Sequence, residues 1–246
     1  CIALGYAVIV TYILKALVDS LVGTLMTADT ASWFGTFSST PYSVIPYHII
    51  VVVGTLLTLY LGAHSIEKTN KVMMPLFFII FVVLAVRVAL LPGSAEGYKF
   101  MFKPDMSLFS SPGSFFDVLK TASGQVFFSL SMAMGINITF GSYLDKQKSL
   151  QKNAVIVPLF DTIFAVLAGM MILPACAAFN VDYAQGPGLL FASMQKVFLD
   201  GMGGQAGNII GFLFYFLVFI AAVTSSIALM EVLTSAVVDR QLDKGK

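Results

Sequence analysis

Apolar residues in this chain fall into long blocks instead of alternating with polar ones or lining one face of short helices. Six blocks stand out, at about residues 1–24, 46–63, 72–92, 115–144, 153–178 and 207–238. A helix rises about 1.5 Å per residue, so roughly 20 residues cross a hydrocarbon layer of about 30 Å. Unpaired backbone groups are too costly in lipid for anything but helices or closed barrels, and blocks this long without period-two alternation predict helices. The expected fold is therefore all-α, a polytopic membrane protein with six transmembrane helices. Pro and Gly punctuate the connections, as in Leu91-Pro92-Gly93-Ser94 and Gly186-Pro187-Gly188.

Composition agrees with lipid as the solvent. Hydrophobic residues make up 58% of the chain, charged residues only 11%, and the mean hydropathy is +0.89. A net charge of +1 offers no basic face to nucleic acid. Cys1 and Cys176 make no disulfide framework, and His48 and His64 have no second ligand at metal spacing. Lys68 and Lys71, then Lys146, Lys148 and Lys152, then Arg240, Lys244 and Lys246 fall on one side of an alternating six-helix path. Basic residues favour the cytoplasmic side, so the first helix is expected to run outward from the cytoplasm. The chain opens on Cys1 inside an apolar block, without the basic stretch or cleavage site of a signal peptide, and is expected to be truncated at both ends.

Ionisable residues at membrane depth cost about 2.5–3.5 kcal/mol even on lenient insertion scales, so each one needs an account. Lys15 and Asp19 are spaced to pair on one helix face near the outer end. Arg87 lies close enough to Pro92 for its long stem to reach the headgroups. Glu231, about two turns before Asp239 and Arg240, has no assignment. Asp161 lies near the start of an apolar helix without a basic residue three or four positions away. Something outside its own helix must compensate it, either a cation or a proton that leaves the acid neutral.

Two polar interruptions remain. In the block 115–144, Ser129, Ser131 and Gly135 interrupt the apolar run near residues 129–134. Small and hydroxylated residues there fit either a discontinuous helix, whose freed carbonyls form a midplane ion site, or close helix packing. Thr224, Ser225 and Ser226 form a hydroxyl triplet in the last block. They can offer oxygens to a small hard cation or bond back to the preceding turn.

Three stretches carry a resemblance: residues 124–135 (GQVFFSLSMAMG), 66–75 (IEKTNKVMMP) and 221–231 (AAVTSSIALME). Together they resemble the neurotransmitter:sodium symporter family, in particular its bacterial amino-acid transporters, over essentially the whole chain. The resemblance implies a leucine-transporter-like inverted-repeat fold in which these six helices are the third to the eighth. It implies sodium-coupled symport of a neutral, apolar amino acid by alternating access, not enzymatic chemistry, in a bacterial cytoplasmic (inner) membrane. For the substrate it implies Tyr6 at the carboxylate, Phe128 as an outer aromatic lid, and Ser129, Ser131, Met134, Ser225 and Leu229 at pocket positions. For the first sodium it implies Ser129 and Asp161, and for the second the Ala221 carbonyl with Thr224 and Ser225. Three departures follow. The family's first helix, which contributes to both ion sites, is missing, so the chain alone is expected to be inactive. Asp161 stands where relatives have asparagine, and its fixed charge is expected to make chloride dispensable. Ala133 replaces a frequent glycine and narrows the pocket. A homo-oligomer is compatible with the sequence. The alternatives are a proton-coupled carrier of the same fold in which Asp161 titrates, and an intramembrane aspartyl hydrolase, which would need a second carboxylate beside Asp161.

Overall fold

The computed structural model describes residues 2–27, 32–61, 64–103, 105–109, 111–132, 135–144, 149–184, 186 and 188–244, with side chains for all of these except 26, 61, 64–70 and 241–244. Its helices are α1 (Ile2–Val22), α2 (Trp33–Ser39), α3 (Ile45–Leu61), α4 (His64–Ala89), α5 (Ser94–Phe102), α6 (Pro112–Ser129), α7 (Ile136–Ser142), α8 (Leu150–Phe179), α9 (Gly188–Lys196) and α10 (Gly204–Lys244). Short 3-10 turns occupy Thr24–Met26 and Met106–Phe109, and a π turn occupies Val197–Met202. Among the described residues there is no strand, and the fold is all-α. Among the described residues, four helices are long and apolar enough to cross a membrane: Ile2–Val22, Lys71–Ala89, Leu150–Phe179 and Gly204–Arg240. Ile45–Tyr60 is a shorter apolar helix. Over 115–144 the chain forms two helices, α6 and α7, separated by a break. Three short helices, α2, α5 and α9, lie in stretches that the hydrophobic pattern leaves as connections.

Contacts group the chain into two compact units. The first comprises Cys1–Met101 and Leu167–Ile227. Its centre is aromatic: Phe34 stacks on Phe191 at 5.3 Å, Phe191 on Tyr215 at 6.2 Å, and Trp33 packs against Phe191 at 5.7 Å. Such ring pairs bring large apolar area with defined geometry, which is how the short α2 and α9 are held. The Gln195 amide also donates to the Leu25 carbonyl. At the crossing of α5 and α8, Gly97 is required by contact: a Cβ there would lie 2.4 Å from the Pro174 Cα. That crossing is completed by Phe100 stacked on Tyr183 at 4.6 Å and by the Tyr98 hydroxyl donating to the Met170 carbonyl at 3.3 Å.

Lys15, Asp19 and Arg87 in this unit find protein partners. Lys15 pairs with Asp19, whose second carboxylate oxygen accepts from the Trp33 indole at 2.8 Å. The Lys15 ammonium also lies 5.7 Å from the ring centres of both Phe37 and Tyr47, a favourable cation–π arrangement. The Arg87 guanidinium donates to the Gly201 carbonyl in the π turn, a partner that the sequence reading did not foresee. The irregular turn offers a protein acceptor within reach, and the side chain is held at partial burial.

The second unit comprises Phe102–Val166 and Ala228–Lys246. It contains α6, α7, the first half of α8 and the end of α10. Helix α6 starts cleanly because Pro112 sits in its first turn and the Ser111 hydroxyl accepts from the Ser114 N–H.

Candidate functional site

The break between α6 and α7 has a definite hydrogen-bond structure. Leu130 is the C-cap of α6, and its N–H bonds to the Val126 carbonyl at 3.0 Å. Ser131 adopts a left-handed conformation with φ 53°, and its N–H bonds to the Phe128 carbonyl at 3.1 Å. The Met132 N–H reaches back to the Phe127 carbonyl at 3.0 Å. These last two bonds make a Schellman motif, in which a left-handed residue closes a helix end. It is built here on serine instead of glycine, at the steric cost of a Cβ in that region. The chain resumes at Gly135, whose φ of 74° suits glycine. A Cβ there would also come within 3.3 Å of Val232 Cγ1.

The last carbonyls of α6 are therefore allocated in order. Those of Val126, Phe127 and Phe128 accept the backbone bonds just given. The Leu130 carbonyl accepts from the Asn137 side-chain amide at 3.0 Å. Among the described residues, the Ser129 carbonyl receives no such bond. The Ser129 hydroxyl lies 2.8 Å from each oxygen of Asp161 on α8. Hydroxyl and carboxylate thus supply oxygen donors at one point, the kind that suits a small hard cation. Nearby in this unit the Tyr143 hydroxyl donates to Glu231 Oε1 at 2.9 Å, giving Glu231 the partner that the sequence did not reveal.

Within the first unit, the Thr224 hydroxyl lies 2.8 Å and the Ser225 hydroxyl 3.2 Å from the Ala221 carbonyl. Both hydroxyls bond back to the preceding turn, and in doing so three oxygens gather at one point of α10. The Tyr6 hydroxyl on α1 lies near the Ser225 side chain. Tyr6, Ala221, Thr224 and Ser225 are therefore brought together in the first unit, and Ser129 and Asp161 in the second. Phe128 is 57% exposed on the last turn of α6, Ser131 forms the left-handed corner, and Leu229 lies four residues beyond Ser225 on α10. Met134 and Ala133 lie outside the described residues, as do Lys146 and Lys148. Asn137 and Tyr143 were not singled out from sequence. An amide two residues past a glycine at a suspected break is the signal that could have found Asn137.

The sequence model of the Sodium:neurotransmitter symporter family matches residues 36–244. The chain belongs to this family. An uncharacterized sodium-dependent transporter of Haemophilus influenzae is 37% identical over 243 residues, covering 97% of this chain and 51% of that protein. A sodium-dependent neutral amino acid transporter of Mus musculus is 34% identical over 119 residues, covering 47% of this chain and 19% of that protein. The crystal structure of MhsT in complex with L-phenylalanine superposes with a TM-score of 0.85 at 34% identity, covering 94% of this chain and 52% of that one. The chain thus has the leucine-transporter-like fold and spans about half the length of the relatives it matches most fully. The Haemophilus influenzae and Mus musculus relatives are named as transporters, and the family is one of sodium symporters, not of enzymes.

Proposed function

We propose that this chain forms the central part of a sodium-coupled symporter that imports a neutral amino acid by alternating access across a bacterial cytoplasmic membrane. The observation that carries the reading is the Ser129 hydroxyl set 2.8 Å from both oxygens of Asp161, at a helix break where the adjacent Ser129 carbonyl receives no bond among the described residues. A carboxylate at membrane depth calls for a compensating charge, and a hydroxyl oxygen beside it suits sodium. The Ala221, Thr224 and Ser225 oxygens supply a second set for the same ion. When a cation is present, each hydroxyl turns its lone pairs to the ion and its proton away.

For the substrate, the Tyr6 hydroxyl beside Ser225 offers a hydrogen-bond donor to a carboxylate. By the resemblance, Phe128 is an apolar cover and Ser131, Met134 and Leu229 take substrate positions, a residue set with few polar partners, which favours an apolar side chain. The relative in complex with L-phenylalanine and the murine neutral amino acid transporter support this class of substrate. Asp161 carries a fixed negative charge beside the first ion, so chloride is not needed to balance it.

The test is uptake of labelled neutral amino acids into proteoliposomes holding the full-length protein, with Asp161→Ala and Thr224→Ala variants alongside. Sodium-dependent uptake that both variants lose is the expected result, unaltered when gluconate replaces chloride. Uptake that persists when choline replaces sodium would instead favour proton coupling through Asp161. Strong chloride dependence would remove the role given to its charge.

A further inference from the structure

We infer that Asn137 is a positioning residue for the first sodium set, acting as a strut across the break between α6 and α7. The inference rests on the proposed role of Ser129 and Asp161 and goes beyond it, because Asn137 touches neither. A carbonyl can only accept, so the Asn137 nitrogen faces the Leu130 oxygen, 3.0 Å away and seven residues back in the chain. The bond ties the first turn of α7 to the C-cap of α6. Among the described residues it is the side-chain bond that spans the interruption.

Its importance follows from what each end of Leu130 does. The Leu130 N–H is held by Val126, and that N–H belongs to the same peptide plane as the Ser129 carbonyl. The Leu130 carbonyl is held by Asn137. Fixing both ends fixes the turn at φ −85° and ψ 4°, and with it the direction of the Ser129 carbonyl. The next residue, Ser131, sits at φ 53°, where a residue with a Cβ persists only if its surroundings hold it there. Without the strut, the Leu130 carbonyl loses its partner in an apolar stretch and the corner is free to rewind or open. Either change shifts Ser129, the residue just before the corner, and with it the hydroxyl that meets Asp161. Asn137 thus sets ion geometry at a distance while leaving the Tyr6, Thr224 and Ser225 group untouched.

The experiment compares Asn137→Leu, which keeps the volume and loses the donor, with Asn137→Gln, which keeps the amide on a longer arm. In the full-length purified protein, amino-acid binding is titrated against sodium, and then against the amino acid at saturating sodium. Asn137→Leu is expected to raise half-saturating sodium about tenfold, the scale of one hydrogen bond whose acceptor is left unpaired. Half-saturating amino acid at saturating sodium should stay within about threefold of the parent, and Asn137→Gln should recover most of the sodium effect. Hydrogen exchange should also quicken at the amides of 130–137 in Asn137→Leu, but not in α8. An unchanged sodium requirement with unchanged exchange would overturn the inference, as would an equal loss of sodium and amino-acid binding in both variants. If the parent protein binds its substrate without sodium, the proposed function fails, and the exchange comparison alone decides whether Asn137 braces the break. Should Asn137→Leu not fold, Asn137→Ser, which shortens the arm past reach of Leu130, carries the same test.

Discussion

Replacing Asp161 by Asn removes one charge and almost no volume, which makes it the sharpest probe of the ion site. In the parent, the Ser129 hydroxyl lies 2.8 Å from both carboxylate oxygens. The amide keeps one acceptor for that hydroxyl, so local packing and the end of α6 should survive. What is lost is the attraction between a carboxylate and a monovalent cation in the same site. At about 4 Å and an effective dielectric of about 20, that attraction is about 4 kcal/mol. Desolvation of the carboxylate offsets part of it, leaving a net of roughly 1.5–3 kcal/mol. Tenfold in affinity corresponds to about 1.4 kcal/mol, so half-saturating sodium should rise about 10- to 100-fold. A second consequence separates this reasoning from general damage. With the fixed charge gone, a diffusible anion becomes useful, and chloride should stimulate the Asn variant but not the parent. Uptake or binding measured across sodium concentrations, in chloride and in gluconate, reads both effects. An Asn variant with the parent's sodium dependence, or a parent that needs chloride, would refute the argument.

Three further expectations concern the scaffold around the candidate sites. Gly97→Ala sets a Cβ 2.4 Å from the Pro174 Cα and 2.5 Å from the Leu173 carbonyl, so α5 must lift from α8. Loss of the Phe100–Tyr183 stack and of the Tyr98 bond to Met170 should cost about 2–4 kcal/mol, seen as a lower melting temperature in detergent; an unshifted melt would show that the crossing relaxes freely. Asp19→Leu strands the Lys15 ammonium in a largely buried position and should cost about 3–5 kcal/mol, whereas Trp33→Phe removes the indole bond and part of the ring packed on Phe191 and should cost about 1–3 kcal/mol. Equal losses in the two variants would deny the ion pair its larger share. Gly135→Ala forces a Cβ into φ 74° beside Val232 and should cost about 1–2 kcal/mol, with quickened hydrogen exchange confined to the start of α7 as its signature.

What could be read along the chain, and what could not, divides by the range of the interaction that determines it. Blocks of about 20 apolar residues leave the backbone no option but helix, so the all-α class follows from local composition. The 7 residues of α2 and the 9 of α9 carry no such signal, because they are held by stacks such as Phe34 on Phe191, formed across more than 150 positions. Arg87 escaped for the same reason: its acceptor belongs to a π turn 114 residues later, and only the fold brings that carbonyl within reach.

The break shows the division within a single stretch. Serines and a glycine in an apolar run flag an interruption, but they fit close helix packing equally well. The geometry adds an allocation of oxygens. The carbonyls of Val126, Phe127, Phe128 and Leu130 each receive a donor, and that of Ser129, among the described residues, does not. Ser129 is also the residue whose hydroxyl meets Asp161 from 32 positions away. From sequence, Asp161 could only be said to need compensation from outside its helix. A packing role for the small residues does not call for a hydroxyl set against both oxygens of a carboxylate on another helix. A cation site does, and this favours the proposal that the interruption is a binding feature.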